Sequence, residues 1–130
     1  MTAKDLARLS QVTDAARQAA ELRFAGITRQ EQDIADQLAA LDSARKGRAA
    51  EAGGTPDIAF SAGADLRWHR WIDGRKEELN RQLARLRAER MRARDELRQA
   101  FGRARVVATL AEKAQAKERA ERERRSAELQ

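Results

Sequence analysis

The residue types that most often carry out catalysis or hold metals are scarce in this chain. His69 is its only histidine and cysteine is absent, so neither a histidine-based catalytic triad nor a zinc site of histidine and cysteine ligands can form. Gly53 and Gly54 stand together, but the Lys-Ser or Lys-Thr that completes a phosphate-binding loop does not follow them. Aspartate and glutamate are interleaved with arginine, which is typical of solvated ion pairs. The sequence therefore predicts a protein without a catalytic site, a metal or a cofactor.

The two tryptophans near the middle of the chain are the strongest candidates for binding. Trp68 and Trp71 flank His69 and Arg70, and Ile72 follows. On a helix Trp68 and Ile72 would share one face, with Trp71 at its edge. Either both tryptophans pack within the fold near a turn, or Trp71 and its arginine neighbours anchor a partner protein, since Trp and Arg are enriched at binding hot spots. Both hold if Trp68 is packed and Trp71 is exposed; His69 is expected to be structural or on the surface.

The composition indicates which elements must position these residues. Of the 130 residues, 37% are charged and 4% are aromatic, a mixture typical of coiled coils and long helices. The large apolar residues are too few for a globular core but sufficient for a narrow seam between two helices. The predicted fold class is all-α, with one domain over residues 1–130. Such a fold offers no concave pocket, so no small-molecule ligand is expected.

The first helix is predicted over about residues 2–46. Thr2 followed by Asp5 resembles a capping box at its start. Apolar residues then recur mostly at steps of three and four, which indicates a heptad seam; Glu31 interrupts it, and a shift between Leu9 and Ala16 looks like a stutter. The stripe consists of Leu6, Leu9, Val12, Ala16, Ala20, Phe24, Ile27, Ile34, Leu38 and Leu41.

A break is predicted over about residues 47–56, which hold a cluster of glycines and the only proline. Thr55, Pro56 and Asp57 then predict the start of a second helix over about residues 57–128. Its apolar residues repeat every seven positions in two registers, with Arg90 as the exception. One register holds Ile72, Leu79, Leu86, Ala93, Ala100, Val107 and Ala114, and the other holds Leu83, Leu97, Ala104 and Ala111.

The lengths of these segments predict how the helices pair. A short break favours antiparallel neighbours, so the sequence predicts two long helices forming an antiparallel coiled-coil hairpin. With the turn centred near residues 51 and 52, Leu6 would face Leu97 and Phe24 would face Leu79. The C-terminal helix is the longer one, so residues 102–130 would overhang without an intramolecular partner.

The net charge of +6 permits binding to nucleic acid but does not require it. Residues 67–105 carry thirteen basic and six acidic side chains. The arginines fall on several helix faces, however, and no aromatic residues interleave with them for base stacking, so nucleic acid is not an expected partner. No apolar run approaches the roughly 20 residues of a membrane span and no signal-peptide core is present, so the expected location is the cytoplasm.

The layout of an N-terminal helix, a short break and a longer C-terminal helix resembles the FliJ/YscO family of flagellar and virulence type III export systems. The most local likeness is the segment Phe60-Ser61-Ala62-Gly63, followed by Arg67-Trp68 and the long heptad stretch. The resemblance covers the whole chain in length and layout.

This resemblance implies a function and a set of partners. FliJ-like proteins are similar in fold to the central stalk of rotary ATPases; they dock into the pore of the hexameric export ATPase FliI, bind the export gate FlhA and are linked to export chaperones. The implied location is cytoplasmic, peripheral at the inner-membrane export apparatus. The candidate contacts with the ATPase are Arg103, Arg105, Val106, Val107 and Leu110. The candidate contacts with the gate are Trp68, Arg70 and Trp71.

Two other functions stay open at this point. The protein could be a self-associating structural coiled coil, in which the overhang pairs with that of a second copy. It could also be a basic coiled coil that binds nucleic acid, whose affinity would fall steeply with salt.

Overall fold

A computed structural model describes the backbone of residues 1–51 and 58–130, and the side chains of residues 1–51 and 62–130. This part of the chain forms two helices that pack against each other, α1 over Ala3–Glu51 and α2 over Ile58–Glu128. Helix makes up 97% of it, and it contains no strand. The prediction of an all-α fold with a longer second helix is confirmed. Neither helix has, among these residues, a stretch long and apolar enough to cross a membrane.

The start of α1 has the predicted cap, whereas its end lies further along than predicted. The Asp5 N–H donates to Thr2 Oγ1 at 3.1 Å, and the Thr2 N–H donates to Asp5 Oδ2 at 3.2 Å. These bonds satisfy donors that a helix start leaves without partners. The helix continues through Gly47 to Glu51 instead of ending near residue 46. The predicted cap of α2, residues 55–57, lies outside the described residues.

The described chain divides into two compact units, each built from a segment of α1 and a segment of α2. The terminal unit comprises residues 1–25 and 91–130, and the central unit comprises residues 26–90. Within each unit the two segments run in opposite directions. The apolar side chains buried in the central unit are Ile27, Ile34, Ile72, Leu79 and Leu86, and those in the terminal unit are Ala3, Ala93 and Ala111.

The two predicted registers of α2 are the inward-facing side of this helix. Ile72 and Leu79 are almost fully buried, with relative exposures of 0% and 1%. Every other apolar member of the two registers is buried or half-buried. A strict seven-residue repeat keeps one side of a helix against its neighbour over many turns, and this accounts for the pattern.

The inward side of α1 differs from the prediction in the terminal unit. The steps of three and four continue without a stutter through Ser10, Thr13 and Arg17, which are half-buried, while Val12 and Ala16 are exposed. The seam accommodates Thr13 because its hydroxyl donates to the carbonyls of Leu9 and Ser10, both at 3.1 Å. The predicted stutter was therefore wrong. The prediction assigned the seam to the apolar Val12 and Ala16, whereas the inward positions of this segment hold polar residues.

The predicted pairing register was also wrong. The Ala3 N–H donates to Glu118 Oε1 at 3.4 Å, and Arg23 Nη1 lies 2.6 Å from Glu96 Oε2. The partners of α1 thus lie about 18 residues further along α2 than expected. The prediction centred the turn on the glycine-rich break, whereas the two helices pair so that their inward-facing residues meet.

This shift changes the expected overhang. Residues 102–118 were predicted to lack an intramolecular partner, but Ala111 is buried and Val107 and Ala114 are half-buried in the terminal unit. Beyond Glu118, every side chain except that of Glu121 is exposed. The predicted unpaired segment is therefore confined to residues 119–130.

Candidate functional site

The tryptophan cluster lies on α2 in the central unit, where the inward side of the helix holds Trp68. The guanidinium of Arg48 lies 4.5 Å from the centre of the Trp68 ring, a cation–π arrangement. Arg48 is itself fixed by Asp65, whose Oδ1 lies 2.8 Å from Arg48 Nη2. The ring of His69 meets Trp68 edge-on, with 5.2 Å between ring centres. Trp68 is half-buried, and its contact with Arg48 links it to α1.

Trp71 points away from this packed side. It has a relative exposure of 60%, while the adjacent Ile72 is fully buried. Arg70 is exposed as well. One tryptophan of the cluster is thus packed and the other is on the surface, with a large apolar ring available to a partner.

The residues predicted to meet the ATPase lie on α2 in the terminal unit. Val107 is half-buried on the inward side, but Val106 and Leu110 have relative exposures of 60% and 47%. Their spacing of four residues places them on one side of the helix. We call the surface formed by Gly102, Arg103, Val106 and Leu110 the Val106 face. Gly102, Arg103 and Val106 also line a shallow concavity together with Gln99 and Val107.

Arg105 lies apart from the Val106 face, beside an aromatic residue that sequence reasoning missed. Phe101 has a relative exposure of 52%. A second shallow concavity on the terminal unit is lined by Arg94, Leu97, Arg98, Phe101, Gly102 and Arg105. We call the surface formed by Arg94, Arg98, Phe101 and Arg105 the Phe101 face.

The Phe101 face corrects the statement that no aromatic residue interleaves with the arginines. Phe101 is three residues after Arg98 and four before Arg105, a spacing that puts all three on one side of a helix. This spacing was present in the sequence and could have revealed the face.

The charges around this face are uneven. The side chains of Arg94, Arg98 and Arg105 make no ion pair or hydrogen bond with any described residue, and all three residues are exposed. On α1, Cζ of Arg17 lies 5.8 Å from the centre of the Phe101 ring. The same guanidinium forms ion pairs with two carboxylates: Nη2 lies 2.8 Å from Asp14 Oδ1, and Nη1 lies 2.6 Å from Glu21 Oε1. The hydrogen bonds that Arg17 donates to Asp14 and, as the second cause, to Glu21 raise the pKa of Arg17. The Phe101 face is thus cationic on α2 and bordered by carboxylates on α1.

These surfaces are suited to binding other molecules. No group of three or more histidine, aspartate or glutamate side chains in the described residues is placed to hold a metal ion. The surfaces described above instead expose large apolar side chains that a partner could cover: Trp71, Phe101, Val106 and Leu110. Comparisons with protein-family models, with curated proteins and with solved structures found no match to this chain.

Proposed function

We propose that this protein is a non-enzymatic stalk of a bacterial flagellar or related type III export apparatus, built as an antiparallel coiled-coil hairpin. The terminal unit enters the pore of a hexameric, FliI-like export ATPase, and the central unit presents Trp71 to a FlhA-like export gate. The observation that carries the proposal is the exposed apolar pair of Val106 and Leu110 on an otherwise charged helical surface. The resemblance of the layout to that of FliJ-like proteins is the reason for proposing these partners.

The contact with the ATPase is expected to depend on Val106 and Leu110 because each buries apolar area on docking. Burial of such area contributes about 25 cal/mol per Å², and the fully buried core of an interface is more apolar than its rim. Arg103, on the same face, supplies a charge at the rim. A paired unit also supports this role better than a lone helix, because its packed seam keeps the face in a fixed position.

The gate contact is expected to depend on Trp71. Its neighbour Trp68 is held by Arg48, so the helix that carries Trp71 is anchored at this point. An exposed tryptophan on an anchored helix loses little side-chain freedom on binding. Export chaperones are further proposed partners, without an assigned surface.

The test is binding of the purified full chain to the export ATPase of the same bacterium. One copy per ATPase hexamer is expected by native mass spectrometry. Val106→Asp with Leu110→Asp should abolish the complex. Val12→Asp with Leu22→Asp is the matched control, because these residues are exposed apolar residues of the same unit on α1. Absence of any complex, or equal loss with the control pair, would refute the proposal.

The hypothesis of self-association began from an unpaired helix over residues 102–130. Residues 102–118 lie in a unit with the N-terminal segment of α1, so most of that segment already has a partner. The export-stalk proposal does not require an unpaired segment and is therefore preferred.

A further inference from the structure

The Phe101 face carries three arginine side chains that form no ion pair with the described residues. Arg94, Arg98 and Arg105 have no carboxylate partner among the described residues, although α2 carries many ion pairs elsewhere. Their spacing of four and then seven residues places them in one row along the helix. Phe101 stands within this row, half exposed.

An arginine row with an aromatic residue is suited to carboxylates. Arginine binds a carboxylate through two parallel hydrogen bonds, which fixes the position of each charge. An exposed phenylalanine among arginines adds an apolar contact, and aromatic residues and arginine are both enriched at the centres of protein interfaces. The spacing of the row also fits a second helix laid along α2, whose own side chains recur every three or four residues.

The border of the face argues against nucleic acid. Asp14 and Glu21 lie on α1 beside the row and remain about half exposed. A phosphate backbone carries negative charge without interruption, so it would be repelled along this edge. An acidic helix can place its charges on the arginines alone and keep the other edge neutral.

We propose that the Phe101 face binds an acidic helical segment of a partner protein, with carboxylates on Arg94, Arg98 and Arg105 and an apolar side chain against Phe101. The proposal does not depend on the export ATPase, since none of the four residues of the Phe101 face belongs to the Val106 face. The partner is defined by its chemistry: an amphipathic helix with glutamate or aspartate at matching intervals around one large apolar residue.

A designed peptide tests this directly. The probe is a fluorescent helical peptide of about 20 residues, with three glutamates spaced to match the arginine row and a leucine at the position matching Phe101. The control peptide has glutamine in place of these glutamates. Fluorescence anisotropy with the full chain should detect the glutamate peptide, with affinity falling as salt rises from about 50 to 300 mM, and only weak binding of the glutamine peptide.

Variants of the chain assign the site. A triple variant of the arginine row should weaken binding of the glutamate peptide by about tenfold or more; it combines Arg94→Glu, Arg98→Glu and Arg105→Glu. Phe101→Ala should weaken this binding less. The matched control combines Arg92→Glu, Lys117→Glu and Arg124→Glu, which changes the charge equally at exposed positions off the row. Circular dichroism confirms that each variant remains helical.

Three results would overturn the proposal. These are no binding of the glutamate peptide, equal weakening by the control variant, and tighter binding of a single- or double-stranded oligonucleotide that the arginine variant abolishes. The last result would identify the face as a nucleic-acid site. None of these results bears on the complex with the ATPase, which is tested through Val106 and Leu110.

Discussion

Glu31 and Arg90, the charged residues that interrupt the apolar stripes of α1 and α2, bind each other in the central unit. Arg90 Nη1 lies 3.1 Å from Glu31 Oε2, and the Glu31 side chain has a relative exposure of only 12%. Its other oxygen, Oε1, is buried without a hydrogen-bond partner among the described residues. A charged pair within an apolar seam helps to specify register, because a slip would leave the buried carboxylate without its partner.

Removal of Arg90 should therefore cost stability. Arg90→Leu leaves the Glu31 carboxylate in the seam without a cation, which we expect to lower the free energy of unfolding by about 1–3 kcal/mol. Glu31→Leu with Arg90→Leu should be neutral or should raise this free energy by about 1–4 kcal/mol, since a packed apolar pair replaces the charges.

Urea denaturation of the three proteins measures these differences. The exchanged pair, Glu31→Arg with Arg90→Glu, is the control and should recover most of the lost stability. If Arg90→Leu were as stable as the parent chain, Glu31 would not depend on Arg90, and the pair would have no role in register.

The register itself can be measured by distance. Spin labels at Lys4→Cys and Lys117→Cys flank the Ala3–Glu118 hydrogen bond. Packed helices lie about 8–10 Å apart, so with the length of the labels we expect a separation within about 25 Å. In a register centred on the glycine-rich break, residues 4 and 117 would also be offset from each other by about 27 Å along the helix axis, so the labels would be further apart.

Labels at Lys4→Cys and Gln99→Cys provide the matched comparison. They face each other in the register centred on the break, so the two hypotheses predict opposite orders of distance. A shorter distance for the pair with Gln99 than for the pair with Lys117 would contradict the register described above.

The sequence predicted α2 better than α1, for a physical reason. Most inward positions of α2 hold apolar residues, so their repeat identifies the buried side. In the first turns of α1 the inward positions hold Ser10 and Thr13, while the apolar Val12 faces outward. The pattern of apolar residues in these turns therefore predicts the wrong side of α1 as the buried one. The register was not predicted because the inward side of α2 in the terminal unit is largely alanine, and uniformly small side chains do not favour one alignment of two helices over another.

The candidate site was predicted in part. Spacing placed Trp68 on the inward face and Trp71 at its edge, and left open whether Trp71 packs; Trp68 is half-buried and Trp71 is exposed. Phe101 was missed because it was considered neither with the apolar stripe nor with the arginines. The pairing of residues 102–118 with α1 was missed because it depends on the register.

The two neighbours Trp71 and Ile72 should respond differently to truncation. Ile72→Ala removes a fully buried side chain and should lower the free energy of unfolding by about 2–5 kcal/mol. Trp71→Ala should change it by less than about 0.5 kcal/mol, because the ring is mostly in solvent. Thermal and urea unfolding measure both, and a large loss with Trp71→Ala would mean that this ring is part of the packing.

Acid should weaken the central unit in part through Asp42. Lys76 binds this carboxylate and its hydrogen bond lowers the pKa of Asp42. A group whose pKa is lowered by folding stabilises the folded state above its unfolded pKa, about 3.9, and this contribution is lost as pH falls through the lower, folded pKa. Asp42→Asn should therefore reduce the fall in Tm between about pH 5 and pH 2.

Asp33→Asn is the control for this titration, since Asp33 is exposed and has no ion-pair partner among the described residues. It should leave the acid dependence of Tm close to that of the parent chain. An unchanged dependence in Asp42→Asn would contradict a role for the Asp42–Lys76 pair.

The rate of ATP hydrolysis by the export ATPase tests the proposed stalk function most directly. Addition of the full chain to the purified hexamer should raise kcat, and the chain with Val12→Asp and Leu22→Asp should raise it equally. The chain with Val106→Asp and Leu110→Asp should have no effect. An ATPase whose turnover is unchanged by the full chain, or is raised as much by the Val106 and Leu110 variant, would contradict the proposal.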